Sequence, residues 1–199
     1  MGYTHYWDRP LAPHPQERWS IFIALCRKLY KNMPAHSRSS GACCEDEPLH
    51  LSGCYRYQRP QFTKTQVVFN GSHIPPKDRV RGPEGEWECS PLDHETFYIG
   101  RVVIQPDYRE GKPTHFSFCK TARKPYDLMV QACLICYKIV FPEVSICSDG
   151  DVDDWREAAV FVQSVLSHIL LPETPEKLIA YTFMASLPVS PYTEIKKGA

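Results

Sequence analysis

The sequence predicts an α+β protein, a single mixed sheet with three main helices packed mostly on one face. Three observations lead there. Apolar residues recur at helical spacing in 15–32, 125–140 and 152–170. Short runs enriched in aromatic and β-branched residues lie around those stretches. The segment 115–148 reads strand, helix, strand, one β-α-β unit whose crossover is right-handed if its strands run parallel in one sheet.

The elements follow in order. Residues 3–7 alternate aromatic and polar, a short strand with Tyr3, His5 and Trp7 on one face. Pro13 and Pro15 lead into the first helix, whose inner stripe is Trp19, Phe22, Leu25, Cys26 and Leu29; Pro34 ends it. Residues 34–63 are rich in Ser, Gly, Pro and Cys and read as a loop insertion with one short strand near 49–51. Residues 65–69 form a strand stopped by the Asn70-Gly71 turn. A second loop insertion fills 72–92. Strands are expected at 95–104 and 115–119, with a turn at 107–113. Pro125 suits the first turn of a helix that runs to Val140. That helix is apolar almost all round, so it is expected to be the most buried. A strand over 144–148 follows. Asp151 caps the last main helix, and Asp154 adds to its acidic first turn. Pro172 and Pro175 break this helix. The expected domain is therefore 1–171, with a C-terminal extension over 172–199. Within the extension, the apolar run 178–187 packs as a strand or a short helix.

Composition narrows the function. A chain of 199 residues, 43% apolar and 23% charged, can bury a core without disulfides or metal. Lys plus Arg and Asp plus Glu both number 23, a balance that disfavours duplex nucleic acid as a partner. No run approaches the length of a membrane span, and Met1–Trp7 lacks the basic and apolar regions of a signal peptide, so a cytoplasmic location is expected. Nine Cys, odd in number and irregularly spaced, read as reduced thiols. Cys133 and Cys136 lie in the apolar helix and read as core. Cys43, Cys44, Cys54 and Cys89 lack the second C-x-x-C or His pair that zinc would need. No metal ligand set is assigned and any cofactor stays unidentified, with a divalent ion held by Asp149, Asp151 and a substrate phosphate left as an alternative.

The β-α-β unit locates a candidate site. Loops leaving the carboxyl ends of neighbouring parallel strands share one rim, where ligands bind in open sheets. The first loop, 120–127, carries Lys120, Thr121, Arg123, Lys124, Tyr126 and Asp127 ahead of a helix start, a combination suited to phosphate or carboxylate. The second loop holds Ser148, Asp149, Gly150 and Asp151 and would face it. Tyr126 could stack on a base. Asn70 joins the ligand-binding set. The bland alternative is a solvated or internally paired charge cluster with Asp127 and Asp151 as plain caps. Asp149, Asp151 and Asp153 match the start of an EF-hand loop, but Asp154 stands where its Gly is required and Val160 where its Glu is. His5, or His94 beside Glu95, could serve as acid or base near neutral pH, with Asp149 or Glu95 orienting it.

Three functions fit these residues. The first is binding of a small anionic, phosphate-containing or nucleotide-like molecule at the rim. The second is a hydrolase or phosphoester-cleaving enzyme using His5 or His94 with Asp149. The third is a protein-interaction module without chemistry.

A resemblance completes the reading. The ordered pieces Gly2-Tyr3-Thr4-His5-Tyr6-Trp7, Phe69-Asn70-Gly71, His94-Glu95-Thr96-Phe97, the segment from Phe118 to Asp127 (F-C-K-T-A-R-K-P-Y-D) and Ser148-Asp149-Gly150 resemble those of an uncharacterised family of small microbial and phage-encoded proteins. The resemblance spans residue 2 to about 170. It implies which positions matter and no mechanism. The two insertions and the C-terminal extension look like additions to that pattern.

Overall fold

A computed structural model describes residues 2–37, 47–54, 58–72, 92–103, 114–169 and 171–184. The fold is α+β. Its elements are β1 (Thr4–Pro10), α1 (Gln16–Lys31), β2 (His36–Ser37), β3 (Glu47–Pro48), β4 (Leu51–Ser52), β5 (Gln61–Phe62), β6 (Gln66–Gly71), β7 (Phe97–Gly100), β8 (Thr114–Lys120), α2 (Asp127–Val140), β9 (Ser145–Ser148), α3 (Val152–Val165) and α4 (Pro175–Phe183).

The expected single mixed sheet is replaced by separate antiparallel sheets. The first has the order β8-β1-β9. In the second, β6 pairs with β7 along 66–69 and with the short strands β5 and β4. β2 and β3 form a two-residue ribbon. The β-α-β expectation is half right. β8 and β9 do run the same way, because each is antiparallel to β1, but β1 lies between them. The reason is dimensional. A helix about 10 Å across covers two strand spacings of about 4.8 Å, so crossing over α2 leaves a slot one strand wide. The N-terminal strand fills it, and both of its edges are paired.

Local chemistry explains the elements. α2 buries every residue from Leu128 to Val140, as its all-round apolar sequence predicts; each fully buried Leu or Ile contributes about 1.5–3 kcal/mol. Its one cation, Lys138, is also buried, and its Nζ donates to the carbonyls of Pro142 at 2.9 Å and Val144 at 2.7 Å. α3 begins with a complete capping box, Asp151 accepting from the Asp153 and Asp154 N–H groups and Asp154 accepting from the Asp151 N–H. It ends at Val165, short of the expected 170. β7 is likewise shorter than expected; beyond Gly100 the chain turns so that Arg101 pairs with His14 and Thr65. The apolar run after Pro175 is a helix, α4. It buries Leu178 and Ile179 in the common core and so is not an appendage of the domain. Most of the 72–92 insertion, with Cys89, lies outside the described residues, as do Cys43 and Cys44. Cys54 is exposed.

The end of β6 is built for close approach. Asn70 is buried. Its amide donates to the His94 carbonyl at 2.9 Å, and its carbonyl accepts from the Gly71 N–H at 2.7 Å. Asn70-Gly71-Ser72 matches the N-glycosylation triplet, but a glycan acceptor would need that amide free, so the triplet is structural. A Cβ on Gly71 would stand 2.0 Å from the Leu92 carbonyl oxygen and 2.8 Å from the Tyr126 ring. The obstacle is backbone, which cannot swing aside. Gly71→Ala is therefore expected to destabilise the fold by about 3 kcal/mol, the upper end of overpacking effects. Urea melts of the two proteins check this.

Candidate functional site

Four segments distant in sequence meet at one corner. β8 ends at Lys120, and its partner on β1 is Thr4. On the other edge of β1, His5 is level with Ser148. The carbonyl of Tyr3 accepts from both the Thr121 and Ala122 N–H groups, so the loop after β8 folds over the start of β1. Glu95 clamps the outer edge of β8: its N–H donates to the Lys120 carbonyl, and its carboxylate accepts the Lys120 N–H at 2.7 Å. Tyr126, wholly buried, donates its hydroxyl to the Glu95 carbonyl at 2.8 Å. Ala122 and Arg123 have φ of 51° and 57°. Two successive non-glycine residues in the left-handed region store strain of about 1–3 kcal/mol each, and such strain clusters at functional sites.

At the centre sits His5, fully buried. Its Nε2 lies 2.7 Å from Asp127 Oδ1, and its Nδ1 lies 3.0 Å from Ser148 Oγ. The Asp127 carboxylate also accepts from Thr121 Oγ1 at 2.5 Å and from Gln131 Nε2 at 3.0 Å. Thr121 and Gln131 already donate to it, so it faces the ring as an acceptor. The Nε2 proton therefore points at Asp127, and Nδ1 presents its lone pair to the Ser148 hydroxyl. Ser148 Oγ also accepts from the Gly150 N–H at 3.1 Å. The imidazole is walled by the edges of Tyr3 and Trp155, with centroids 5.0 and 5.1 Å away. Burial, with the charges of Asp127 and Asp154 beside it, raises the Tyr3 phenol pKa. A Cβ on Gly150 would lie 2.2 Å from the Tyr3 hydroxyl, so only glycine admits that ring.

The remaining expected residues are placed as follows. Arg123 lies over the Tyr3 ring, 4.1 Å from its centroid, and forks onto Asp154. Burial alone would raise the Asp154 pKa, but the Arg123 guanidinium and the Asp151 N–H hold it below the usual carboxylate range. Asp149 accepts from the Thr4 N–H at 3.0 Å and from the Tyr6 hydroxyl. It does not orient His5; Asp127 does. His94 points its side chain to solvent and makes backbone bonds to Asn70, so it is not paired with Glu95 as acid and base. Tyr126 is buried and cannot stack on a base. Asp151 is a helix cap. Lys120 alone among the expected cations has an amine without an ion partner within the described residues; it lies against Gly2.

Sequence reasoning missed Tyr3, Gln131 and Asp154 as site residues. Gln131 had a signal, since it lies one helical turn after Asp127 and shares its face. Among the described residues, no group of three or more His, Cys, Asp or Glu is placed to hold a metal ion, and no helix is long and apolar enough to cross a membrane. A small cleft of about 30 Å³ lies further along β1, lined by residues that include Trp7, Arg9 and His115. It touches none of the site. Comparisons with protein-family models, curated proteins and solved structures find no match to this chain.

Proposed function

We propose that this chain is a hydrolase of small esters in which Ser148 is the nucleophile, His5 the general base and Asp127 the group that orients it. The observation that carries the reading is the hydrogen-bonded series Ser148 Oγ, His5 Nδ1, His5 Nε2, Asp127 Oδ1. The ring nitrogens are used in the opposite sense to the serine-protease arrangement, which leaves the proton logic unchanged. Ser148 attacks the carbonyl carbon, its proton passes to His5 Nδ1, and the imidazolium protonates the leaving alkoxide. Water then reverses the sequence and frees the acid. Ser148 is partly exposed at a strand end, as a nucleophile must be. The Gly150 N–H donates to Ser148 Oγ and so helps hold that oxygen toward His5.

The anion-binding reading is less well supported. Arg123 is engaged by Asp154, and the N–H groups of Thr121, Ala122, Lys124 and Asp127 are spent on carbonyls. It rests on Lys120. The free thiols favour the cytoplasm, and the motif series favours kinship with the microbial and phage family.

A fluorophosphonate probe tests the proposal. Intact-mass analysis is expected to show one adduct, mapped to Ser148, with labelling slowed at least 100-fold in His5→Gln. A probe that leaves Ser148 unmodified, or labels it equally fast in His5→Gln, overturns it.

A further inference from the structure

The small cleft beside β1 has a chemistry of its own. Side chains alternate across a strand, so the register of β1 with β8 brings Trp7 and Ser117, and next to them Arg9 and His115, to one face. All four line the cleft, which Tyr98, Gly100 and Val102 border from β7 and the residues after it. Arg9 is 3% exposed. Its guanidinium donates to the carbonyls of Pro10 at 3.3 Å, Ala12 at 3.2 Å, Arg101 at 3.1 Å and Gly100. These bonds fix the group but bring no negative charge, and no Asp or Glu lines the cleft. Arg123 differs, since Asp154 neutralises it. A buried cation without a counter-ion is costly. Its field reaches its neighbours: burial, and after it the charge of Arg9, keeps the His14 pKa low.

Hydrogen-bond donors surround that charge. The indole N–H of Trp7, a residue only 2% exposed, has no acceptor among the described residues, and the Ser117 hydroxyl has no partner among them. The Tyr98 hydroxyl stands over Gly100, where a Cβ would lie 2.8 Å from it. From this arrangement we infer that the cleft binds the carboxylate of a short-chain organic acid, with Arg9 supplying the opposite charge and the Trp7, Ser117 and Tyr98 donors meeting the oxygens. The space, about 30 Å³, suits about two or three water-sized groups. A two- or three-carbon acid fits it and a nucleotide does not. Tyr98 and Val102 are 39% and 43% exposed, so a ligand can enter past them. The cleft shares no residue with the Ser148, His5 and Asp127 set, and its occupancy is independent of the ester-hydrolase reading.

A titration followed by NMR tests it. The Trp7 indole N–H resonance of nitrogen-labelled protein is tracked as sodium acetate or sodium propionate replaces sodium chloride at constant ionic strength. A saturable shift is expected, with Kd on the order of 1–10 mM, as befits so few ligand atoms. Propionamide, the uncharged counterpart of propionate, is expected to cause no saturable shift. Ser117→Ala and Tyr98→Phe each remove one donor from a half-buried or exposed position, so the core stays intact. Each is expected to weaken propionate binding roughly tenfold. A shift that fails to saturate by about 100 mM acid, propionamide binding as well as propionate, or affinity unchanged in both variants each overturns the proposal.

Discussion

Replacing Asp127 with Asn is expected to slow Ser148 labelling and ester turnover by on the order of 10³–10⁴-fold. The ring makes the argument. Asp127 can only accept, so it fixes the proton on Nε2 and leaves Nδ1 free to take the Ser148 proton. An amide facing Nε2 with its NH₂ group favours the other tautomer. Nδ1 then carries a proton toward Ser148, and the base is gone. The shape survives, since Gln131 Nε2 can still donate to the amide oxygen and Thr121 Oγ1 can accept from the NH₂ group. Loss of stability is expected to stay near 1–2 kcal/mol. Labelling kinetics and a urea melt on the same preparation separate the two effects. A rate within tenfold of the parent would mean that Ser148, His5 and Asp127 only brace the fold.

The second large effect is on stability in acid. His14 is buried against Trp19 and Phe141, with Nε2 2.6 Å from the Tyr137 hydroxyl. Burial, reinforced by the charges of Arg9, Arg18 and Arg101, lowers its pKa to about 3. The unfolded chain takes up this proton near pH 6.5, and the folded one does so only near 3. Between those values the unfolded state binds more protons, so stability rises with pH across the window. The contribution is whole above about pH 6.5 and is lost as pH falls toward 3, by up to about 1.4 kcal/mol per unit. Taken from pH 7 to pH 4, the parent is expected to lose roughly 3 kcal/mol more than His14→Gln, which keeps a partner for Tyr137 but does not titrate. Carboxylates act equally in both proteins and cancel in the difference. Parallel acid slopes would place His14 in contact with water.

The helices were legible because their signals are local. Apolar spacing, the prolines before α1 and α2 and the acidic start of α3 each act within a few residues. Sheet order was not, because nothing in residues 4–10 states that both edges of that strand are paired. The rim was found for an incomplete reason. Lys120 and Ser148 do flank one end of the sheet, yet they are brought there by Thr4 and His5 between them. Of the expected catalytic set only His5 takes the proposed role. Asp127 and Ser148 were marked as ligand contacts, since a pairing across 122 or 143 residues leaves no trace in spacing. The charged loop misled for the opposite reason. Arg123 reads as solvated in the sequence but meets Asp154 in the fold, and the sequence offers Asp154 only as part of the acidic first turn of α3.

The Lys138 amine, tied to two carbonyls beyond its helix, has a counterpart in Asp127 at the other end. A rod fastened at both tips and gripped along its length has no room to slide. Under the ester-hydrolase proposal, Asp127 therefore holds His5 already set, and binding energy need not be spent on arranging it. Under the same proposal, discrimination between substrates falls to the shape of the rim, as a lock sorts keys, with no closing motion of α2 to help.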